Sequence, residues 1–275
     1  MFDREYLVSV FQDTQERIKR SPDYMYSLEQ SINAQTFIAE NDNLVIPDPA
    51  YESDAKVSVT GNRTFEAAAK YRGQKVCVLN FASSSNPGGG VTNGARAQEE
   101  SLCRCSTLYN CLSTRQMWDK FYAPHRRAHN PLHTDDIIFT PDVLVIKDDD
   151  YNLLEYPFTV DVITCAAPNL RYEPSNAYNS GEGYQTAMIT PKALLELHMQ
   201  RAKRIMDVAA QNHAKVLILG AFGCGAFRND PNIVATAYKE VINDYLRHFL
   251  TIEFAVYCHP NYDNNYRTFK SVIGR

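Results

Sequence analysis

Three consecutive glycines, Gly88, Gly89 and Gly90, precede two adjacent glutamates, Glu99 and Glu100, within one short segment of the chain. Glycine has no Cβ atom and tolerates positive φ, so this run lets the backbone approach a ligand closely. The glutamates lie where helix-forming residues begin, and carboxyl groups can donate and accept protons there. The segment therefore predicts a ligand-holding loop beside a pair of acids.

The adjacency of Glu99 and Glu100 restricts the chemistry that they can perform. Many glycosidases place two carboxylates on opposite sides of the bond, whereas neighbours on a helix lie only about 100° apart. A single carboxyl that first donates a proton to the leaving oxygen and then takes one from water fits better. The helix N-terminus favours the charged form, while burial and a like charge favour one retained proton. A purely electrostatic role at a solvated helix end stays open.

A second glycine-rich segment, residues 220–230, also follows an apolar run and precedes helical sequence. In open α/β sheets, ligands bind outside the carboxyl ends of strands, where N–H groups and helix N-termini attract anions. Both segments can therefore line one crevice for an anionic ligand. A dinucleotide fingerprint is excluded because Arg228 stands where a third glycine should follow Gly223 and Gly225. A nucleotide-hydrolase phosphate loop is excluded because no Gly-Lys-Ser/Thr follows either glycine cluster.

Other clusters of polar residues are expected to be structural. His125, His129 and His133 recur every fourth residue, which could place metal ligands on one helix face, but two prolines bracket them and no acidic or cysteine partner is evident. We therefore expect no metal and no cofactor. The aspartates at 148–150 are interpreted as a solvated loop, and the serines at 83–85 as loop polar groups without a nucleophile elbow.

Composition is typical of a globular protein, with 44% hydrophobic and 22% charged residues in 275. A net charge of -4 argues against direct nucleic-acid binding, and no apolar run approaches the ~20 residues of a membrane-spanning helix. Seven cysteines at irregular spacing indicate reduced thiols. We expect a cytoplasmic protein, or a nuclear one if the source is eukaryotic.

Strands that alternate with helices predict an α/β fold as one domain, residues 1–275. Residues 1–55 form an N-terminal extension that includes an amphipathic helix, which Pro22 is expected to end. The predicted strands are residues 36–39, 56–60, 76–81, 136–139, 143–147, 158–166, 216–219 and 253–257, with a turn expected at residues 140–142. The predicted helices are residues 6–20, 65–71, 97–112, 116–127, 191–211 and 232–250.

Gly88-Gly89-Gly90, followed after seven residues by Gln98-Glu99-Glu100, resembles the signature of poly(ADP-ribose) glycohydrolases, specifically the shorter bacterial-type family built on a macrodomain. Further segments look like family segments in family order: residues 78–83, 102–104, 125–131, 166–169 and 220–231. The resemblance implies a three-layer α/β/α macrodomain with a mixed central sheet and an N-terminal helical extension. It also implies binding of ADP-ribose.

The same resemblance implies roles for individual residues. Glu100 would be the catalytic acid and base, and Glu99 would hold the distal ribose hydroxyls. Gly88, Gly89 and Gly90 would wrap the distal ribose and the diphosphate. The remaining substrate-binding residues would be Asn80, Gln98, Gly223, Cys224, Gly225, Ala226 and Phe227, with Phe227 against the ribose.

The activity implied is hydrolysis of the ribose–ribose O-glycosidic bonds of poly(ADP-ribose), mainly from chain ends, with ADP-ribose as the product. The substrate would be carried by modified proteins, and the enzyme is expected to be a monomer. Two alternatives stay open: a binding module that recognises ADP-ribose without turnover, and a hydrolase of mono-ADP-ribosyl linkages on protein or nucleic acid.

Overall fold

The apolar runs of the sequence form the strands of one sheet in the computed structural model, which describes residues 3–176, 180–259, 261 and 263–274. The strands are β1 Thr36–Ile38, β2 Lys56–Thr60, β3 Val76–Phe81, β4 Ile137–Lys147, β5 Leu153–Cys165, β6 Val216–Leu219 and β7 Thr251–Ala255. Their spatial order is β1-β4-β5-β3-β6-β7-β2. β4 runs antiparallel to both of its neighbours, whereas β5, β3, β6, β7 and β2 pair in parallel. The prediction of a mixed α/β sheet is confirmed.

Helices connect these strands and cover the sheet. They are α1 Arg4–Arg20, α2 Pro22–Ala34, α3 Thr64–Ala69, α4 Gln98–Cys105, α5 Leu108–Leu112, α6 Arg115–Met117, α7 Ala123–Ala128, α8 Pro191–Gln211, α9 Pro231–Ile242 and α10 Asn264–Val272. A π-helical turn, Trp118–Tyr122, joins α6 to α7. In the described part of the chain, no helix is both long and apolar enough to cross a membrane.

Alternate residues of the central strands point to opposite faces, and each face has its own core. Cys77 and Leu79 of β3 pack with apolar residues of α8, α9 and α10. Val76 and Val78 pack with residues of α1, α3, α4 and α5. This period of two is what a strand buried on both faces requires. Helices therefore form a layer on each side of the sheet, which confirms the α/β/α architecture.

The N-terminal region differs from its prediction at Pro22. Pro22 does not only end the first helix; it occupies the first turn of a second helix, α2, whose N-cap is Ser21. Proline is well tolerated there because the first helical N–H groups have no partner within the helix. The sequence prediction therefore missed α2.

Residues 140–142 were expected to form a turn between two strands, and that expectation is wrong. β4 continues through them, and its pairing with β5 shifts register between Thr140 and Val143. The irregularity places Asp142 at φ 52°. A β-bulge accommodates the turn-like sequence without ending the strand.

Three other boundaries differ from the predictions. The helix expected over residues 97–112 is two helices, α4 and α5, because Ser106 between them forms a β-bridge with Val145. The helix expected over residues 232–250 ends at Ile242, before a short 3₁₀ turn. The last strand spans Thr251–Ala255, and α10 after it was not predicted.

Candidate active site

The two glycine-rich segments leave the same edge of the sheet. β3 and β6 are adjacent and parallel, so their carboxyl ends lie at the same edge of the sheet, with β3 extending to Phe81 and β6 to Leu219. The first loop, residues 82–97, leads into α4, and the second loop, residues 220–230, leads into α9. Both loops line one cavity of about 1030 Å³. That volume suits a nucleotide-sized ligand.

Glu99 and Glu100 occupy the first turn of α4 and are both buried, at 2% and 7% exposure. The Ser83 N–H donates to Glu99 Oε2 at 2.7 Å, and the Asn80 side-chain amide donates to Glu99 Oε1 at 3.3 Å. The Gly90 N–H donates to Glu100 Oε1 at 2.9 Å. The alternative of two solvated acids that only complement the helix dipole is therefore wrong.

The two carboxyl groups have different surroundings. Glu100 Oε2 is buried and has no hydrogen-bond partner among the residues that the structure describes. Burial raises the pKa of Glu100, against the lowering effect of the Gly90 N–H. Burial and the neighbouring Glu100 charge raise the pKa of Glu99 well above its ordinary value, despite the N–H groups that favour its charged form. Two buried carboxyls this close favour one retained proton.

Gln98 connects the start of α4 to the sheet instead of reaching into the cavity with free polar atoms. Its Oε1 accepts the Phe81 N–H at 2.9 Å. Its Nε2 donates to Leu79 O at 2.8 Å and to Thr64 Oγ1 at 3.1 Å. These contacts fix where the first turn of α4 begins, so they fix the positions of the two acids that follow.

Asn229 closes the second loop. Its Nδ2 donates to Pro168 O at 2.7 Å and to Gly223 O at 3.1 Å, and its Oδ1 accepts from His198 Nε2 at 2.9 Å. The loop then ends at Asp230, which caps the N-terminus of α9. Asn229 is 2% exposed, so it shapes the loop from behind while Phe227 lines the cavity.

Solved structures of similar proteins share the whole fold. A poly(ADP-ribose) glycohydrolase from Thermomonospora curvata is 28% identical with a TM-score of 0.84, over 98% of this chain and 99% of that one. The same enzyme bound to the inhibitor ADP-HPD is 27% identical with a TM-score of 0.81, over the same shares of the two chains. No curated protein sequence matches the chain.

A poly(ADP-ribose) glycohydrolase (PARG) from Deinococcus radiodurans, in complex with ADP-ribose, is 32% identical with a TM-score of 0.74, over 92% of this chain and 97% of that one. The model of the microbial-type PARG catalytic domain matches residues 12–148. The chain belongs to the microbial-type PARG family. The matched residues include the first loop, Glu99 and Glu100.

The residues that the PARG resemblance singled out separate into two groups. Those that line the cavity are Gly89, Gly90, Gln98, Glu99, Glu100, Gly223, Gly225, Ala226 and Phe227. Asn80, Gly88 and Cys224 are not among the described residues that line it. Asn80 is fully buried and donates to both Glu99 and Thr164, so these contacts hold the acid in place.

Several residues of this PARG site were not predicted from the sequence. Asp149 was expected in a solvated loop, but it is buried, accepts the Glu66 N–H at 2.7 Å and lines the cavity. Burial raises its pKa to about 6. Arg104 is 1% exposed and donates to Ala95 O at 2.7 Å, which holds the end of the first loop. Neither contact has a local sequence signal.

The three histidines that recur every fourth residue do not share a helix face. α7 ends at Ala128, and His129 already has φ 49°. His125 bonds Phe121 O and Thr134 Oγ1, whereas His133 faces Ala167 O and Glu182. The described residues contain no group of three or more His, Cys, Asp or Glu arranged to hold a metal ion.

The raised pKa values of Glu99 and Glu100 predict a pH-dependent stability. An acid with a raised folded-state pKa stabilises the fold fully below its unfolded pKa, here 4.5, and loses that contribution as the pH rises through the folded value. We expect a Glu99→Gln/Glu100→Gln variant to gain stability relative to the unchanged protein as the pH rises from 4.5 to neutral. Urea unfolding across that range measures the difference, and a pH-independent difference would contradict it.

Proposed function

We propose that this chain hydrolyses the ribose–ribose O-glycosidic bonds of poly(ADP-ribose) and releases ADP-ribose, mainly from chain ends. The observation that carries the proposal is Glu100 Oε2, a buried carboxyl oxygen without a described partner, at the wall of a cavity formed by two glycine-rich loops. Membership of the microbial-type PARG family supports the substrate class. The chain-end preference rests on the family resemblance.

In the proposed mechanism Glu100 performs both proton transfers. The buried pair shares one proton. Burial raises the pKa of both acids, and that of Glu99 the more, but both Glu99 oxygens accept N–H donors whereas Glu100 Oε2 accepts none from the described residues, so the proposal places the shared proton on Glu100 Oε2. Glu100 gives this proton to the leaving 2′ oxygen as the bond from that oxygen to the distal ribose breaks. The resulting oxocarbenium-like ribose is stabilised by the nearby diphosphate. Glu100 then takes a proton from the attacking water, whose oxygen bonds the ribose carbon, so the enzyme is regenerated.

The binding roles are proposed on the same basis. Glu99, held by Ser83 and Asn80, would bind the distal ribose hydroxyls. Residues 88–90 would wrap the distal ribose and the diphosphate, residues 223–227 would form the second diphosphate loop, and Phe227 would pack against the ribose. We further propose one domain of residues 1–275, in which residues 1–55 form an N-terminal extension. Its support is that Leu7 of α1 lines the cavity and Phe11 joins the core.

The physiological setting is also a proposal. The substrate polymer would be attached to modified proteins, and the enzyme would act as a cytoplasmic monomer without direct nucleic-acid binding. The net charge of -4 supports the last point, because a phosphate-backbone binder usually carries a basic excess.

One parallel assay tests the activity. The purified chain is incubated with poly(ADP-ribose), with mono-ADP-ribosylated protein and with ADP-ribosylated DNA, and the products are separated by chromatography. We expect free ADP-ribose from the polymer from the earliest time points. Shorter polymers without early ADP-ribose would contradict chain-end cleavage. Binding without any product would indicate a recognition module, and release only from the other two substrates would indicate a mono-ADP-ribosyl hydrolase.

A further inference from the structure

A buried carboxylate outside the catalytic pair contacts the loop that carries the catalytic machinery. The side chain of Glu182 is fully buried. Its Oε1 accepts from Ser84 Oγ at 2.8 Å and from Ser85 Oγ at 2.9 Å, and its Oε2 lies 2.6 Å from His133 Nε2. Burying a carboxylate is costly unless its oxygens are fully hydrogen-bonded, so this arrangement is a built feature of the fold.

The two ring nitrogens of His133 have different partners. Nδ1 lies 2.8 Å from Ala167 O, and Nε2 faces the Glu182 carboxylate. A backbone carbonyl can only accept a hydrogen bond, so Nδ1 donates to Ala167 O. Burial alone would raise the pKa of Glu182, but the hydrogen bond and charge of His133, with the two serine hydroxyls, outweigh it and lower that pKa to about 2.

Ser84 and Ser85 lie between the end of β3 and the triple glycine, so Glu182 holds the start of the first loop. The preceding residue, Ser83, gives its N–H to Glu99 at 2.7 Å. Arg126 holds the same segment from α7, since its guanidinium donates to Ser85 O at 3.2 Å and to Asn86 Oδ1 at 3.1 Å. The segment 83–86 is therefore fixed between Glu99 on one side and Glu182 with Arg126 on the other.

The same pair also reaches the second loop. The ring centroids of His133 and Phe227 are 6.0 Å apart, and Ala167, whose carbonyl binds His133, lines the cavity. Phe227 O accepts the N–H of Leu170 at 2.9 Å, in the segment that leads to Glu182. Contacts of the buried His133–Glu182 pair thus connect both walls of the cavity.

We propose that Glu182, paired with His133, is a positioning residue for the glycohydrolase reaction: it fixes residues 83–86 so that the Ser83 N–H orients Glu99 and the Gly90 N–H orients Glu100. This inference rests on the proposed function. Glu182 acts through the loop and is not placed against the reacting atoms. Small misplacement of acid groups reduces the rate of reaction strongly, whereas it affects ligand binding by the rest of the cavity much less.

The test compares Glu182→Gln with a matched buried carboxylate. Glu253 on β7 has a side chain that is 1% exposed, and it accepts hydrogen bonds from Thr60, Lys70 and Tyr71. It is not among the described residues that line the cavity. Glu253→Gln therefore removes a comparable buried charge without touching the first loop, and both variants are measured at a temperature where circular dichroism shows them folded.

We expect Glu182→Gln to lower kcat on poly(ADP-ribose) by about 10- to 100-fold, with the ADP-ribose Kd within about 3-fold of the unchanged protein. Amide hydrogen exchange should accelerate at Ser83 and Gly90. Glu253→Gln should leave kcat and both of these amides unchanged. Equal kcat losses in the two variants, or an unchanged kcat in Glu182→Gln, would refute the positioning role.

Two further measurements keep the outcomes separate. If Glu182→Gln does not fold, Ser84→Ala removes a hydroxyl that bonds the Glu182 carboxylate, and it must lower kcat as well. An unchanged protein that releases no ADP-ribose from the polymer refutes the proposed function, and the positioning role falls with it. If the protein without substitutions is active and folded Glu182→Gln is equally active, the positioning role alone is refuted.

Discussion

Glu100→Gln should lower turnover of poly(ADP-ribose) by about 10²- to 10⁴-fold, the range that a single general acid–base group supplies. Glutamine keeps the size of the side chain and can still accept the Gly90 N–H that now binds Oε1. It cannot give a proton to the leaving oxygen or take one from water. The fold should not suffer, because the substitution removes a buried acid beside Glu99.

The measurement is a turnover assay paired with ADP-ribose titration calorimetry. ADP-ribose should bind Glu100→Gln within a few-fold of the unchanged protein. Glu99→Gln is the informative comparison, because the proposed role of Glu99 in holding the ribose hydroxyls predicts a clear loss of ADP-ribose affinity. Full turnover by Glu100→Gln would remove that residue from the mechanism.

Gly89→Ala should be nearly as damaging, by a different physical route. A Cβ atom at this position would lie 2.5 Å from Glu100 Oε1 and 3.1 Å from Glu99 Oε2, so it would displace both acids. Gly89 also has φ +58°, a conformation that costs other residues roughly 1–2 kcal/mol. We expect kcat to fall by about 100-fold, as for other misplaced catalytic groups.

Gly73→Ala separates the cost of a positive φ from the displacement of the two acids. Gly73 has φ +85°, and no described atom outside its own chain neighbours lies within 4 Å of a Cβ built there. Gly73→Ala should lower the free energy of unfolding in urea by a similar amount, because its φ is also positive, while kcat stays unchanged. A normal kcat in Gly89→Ala would mean that the loop moves freely to admit the methyl group, contrary to the hydrogen bonds that fix it.

Local patterns explain which parts of the fold could be predicted. β3, β6 and α8 match their predicted bounds because apolar runs of strand length and a proline at a helix start are strong local signals. The prediction of a turn at residues 140–142 was wrong because a bulge within the long antiparallel β4–β5 pair accommodates the same residues. α2 was missed because Pro22 favours both the end of one helix and the start of the next.

The residues of the site also differ in whether a local sequence pattern predicts them. Glycines and adjacent acids are close in sequence, so their pattern indicates the loop and the pair directly. Glu182 lies far along the chain from Ser84 and Ser85, and Asn229 is likewise remote from Pro168, so only the folded chain brings these partners together. The residue type of Asn80 indicates a ligand-side group, whereas its contact with Glu99 appears only in the folded chain.

The first loop contacts both acids through main-chain N–H groups, those of Ser83 and Gly90. Every residue except proline carries such a group, so the donors to the acids depend on the path of the backbone. At position 83 the side chain helps to set that path, because Ser83 Oγ accepts the N–H groups of Ser85 and Asn86. Homologues can be expected to retain small residues wherever the loop passes close to the acids, as Gly89 does.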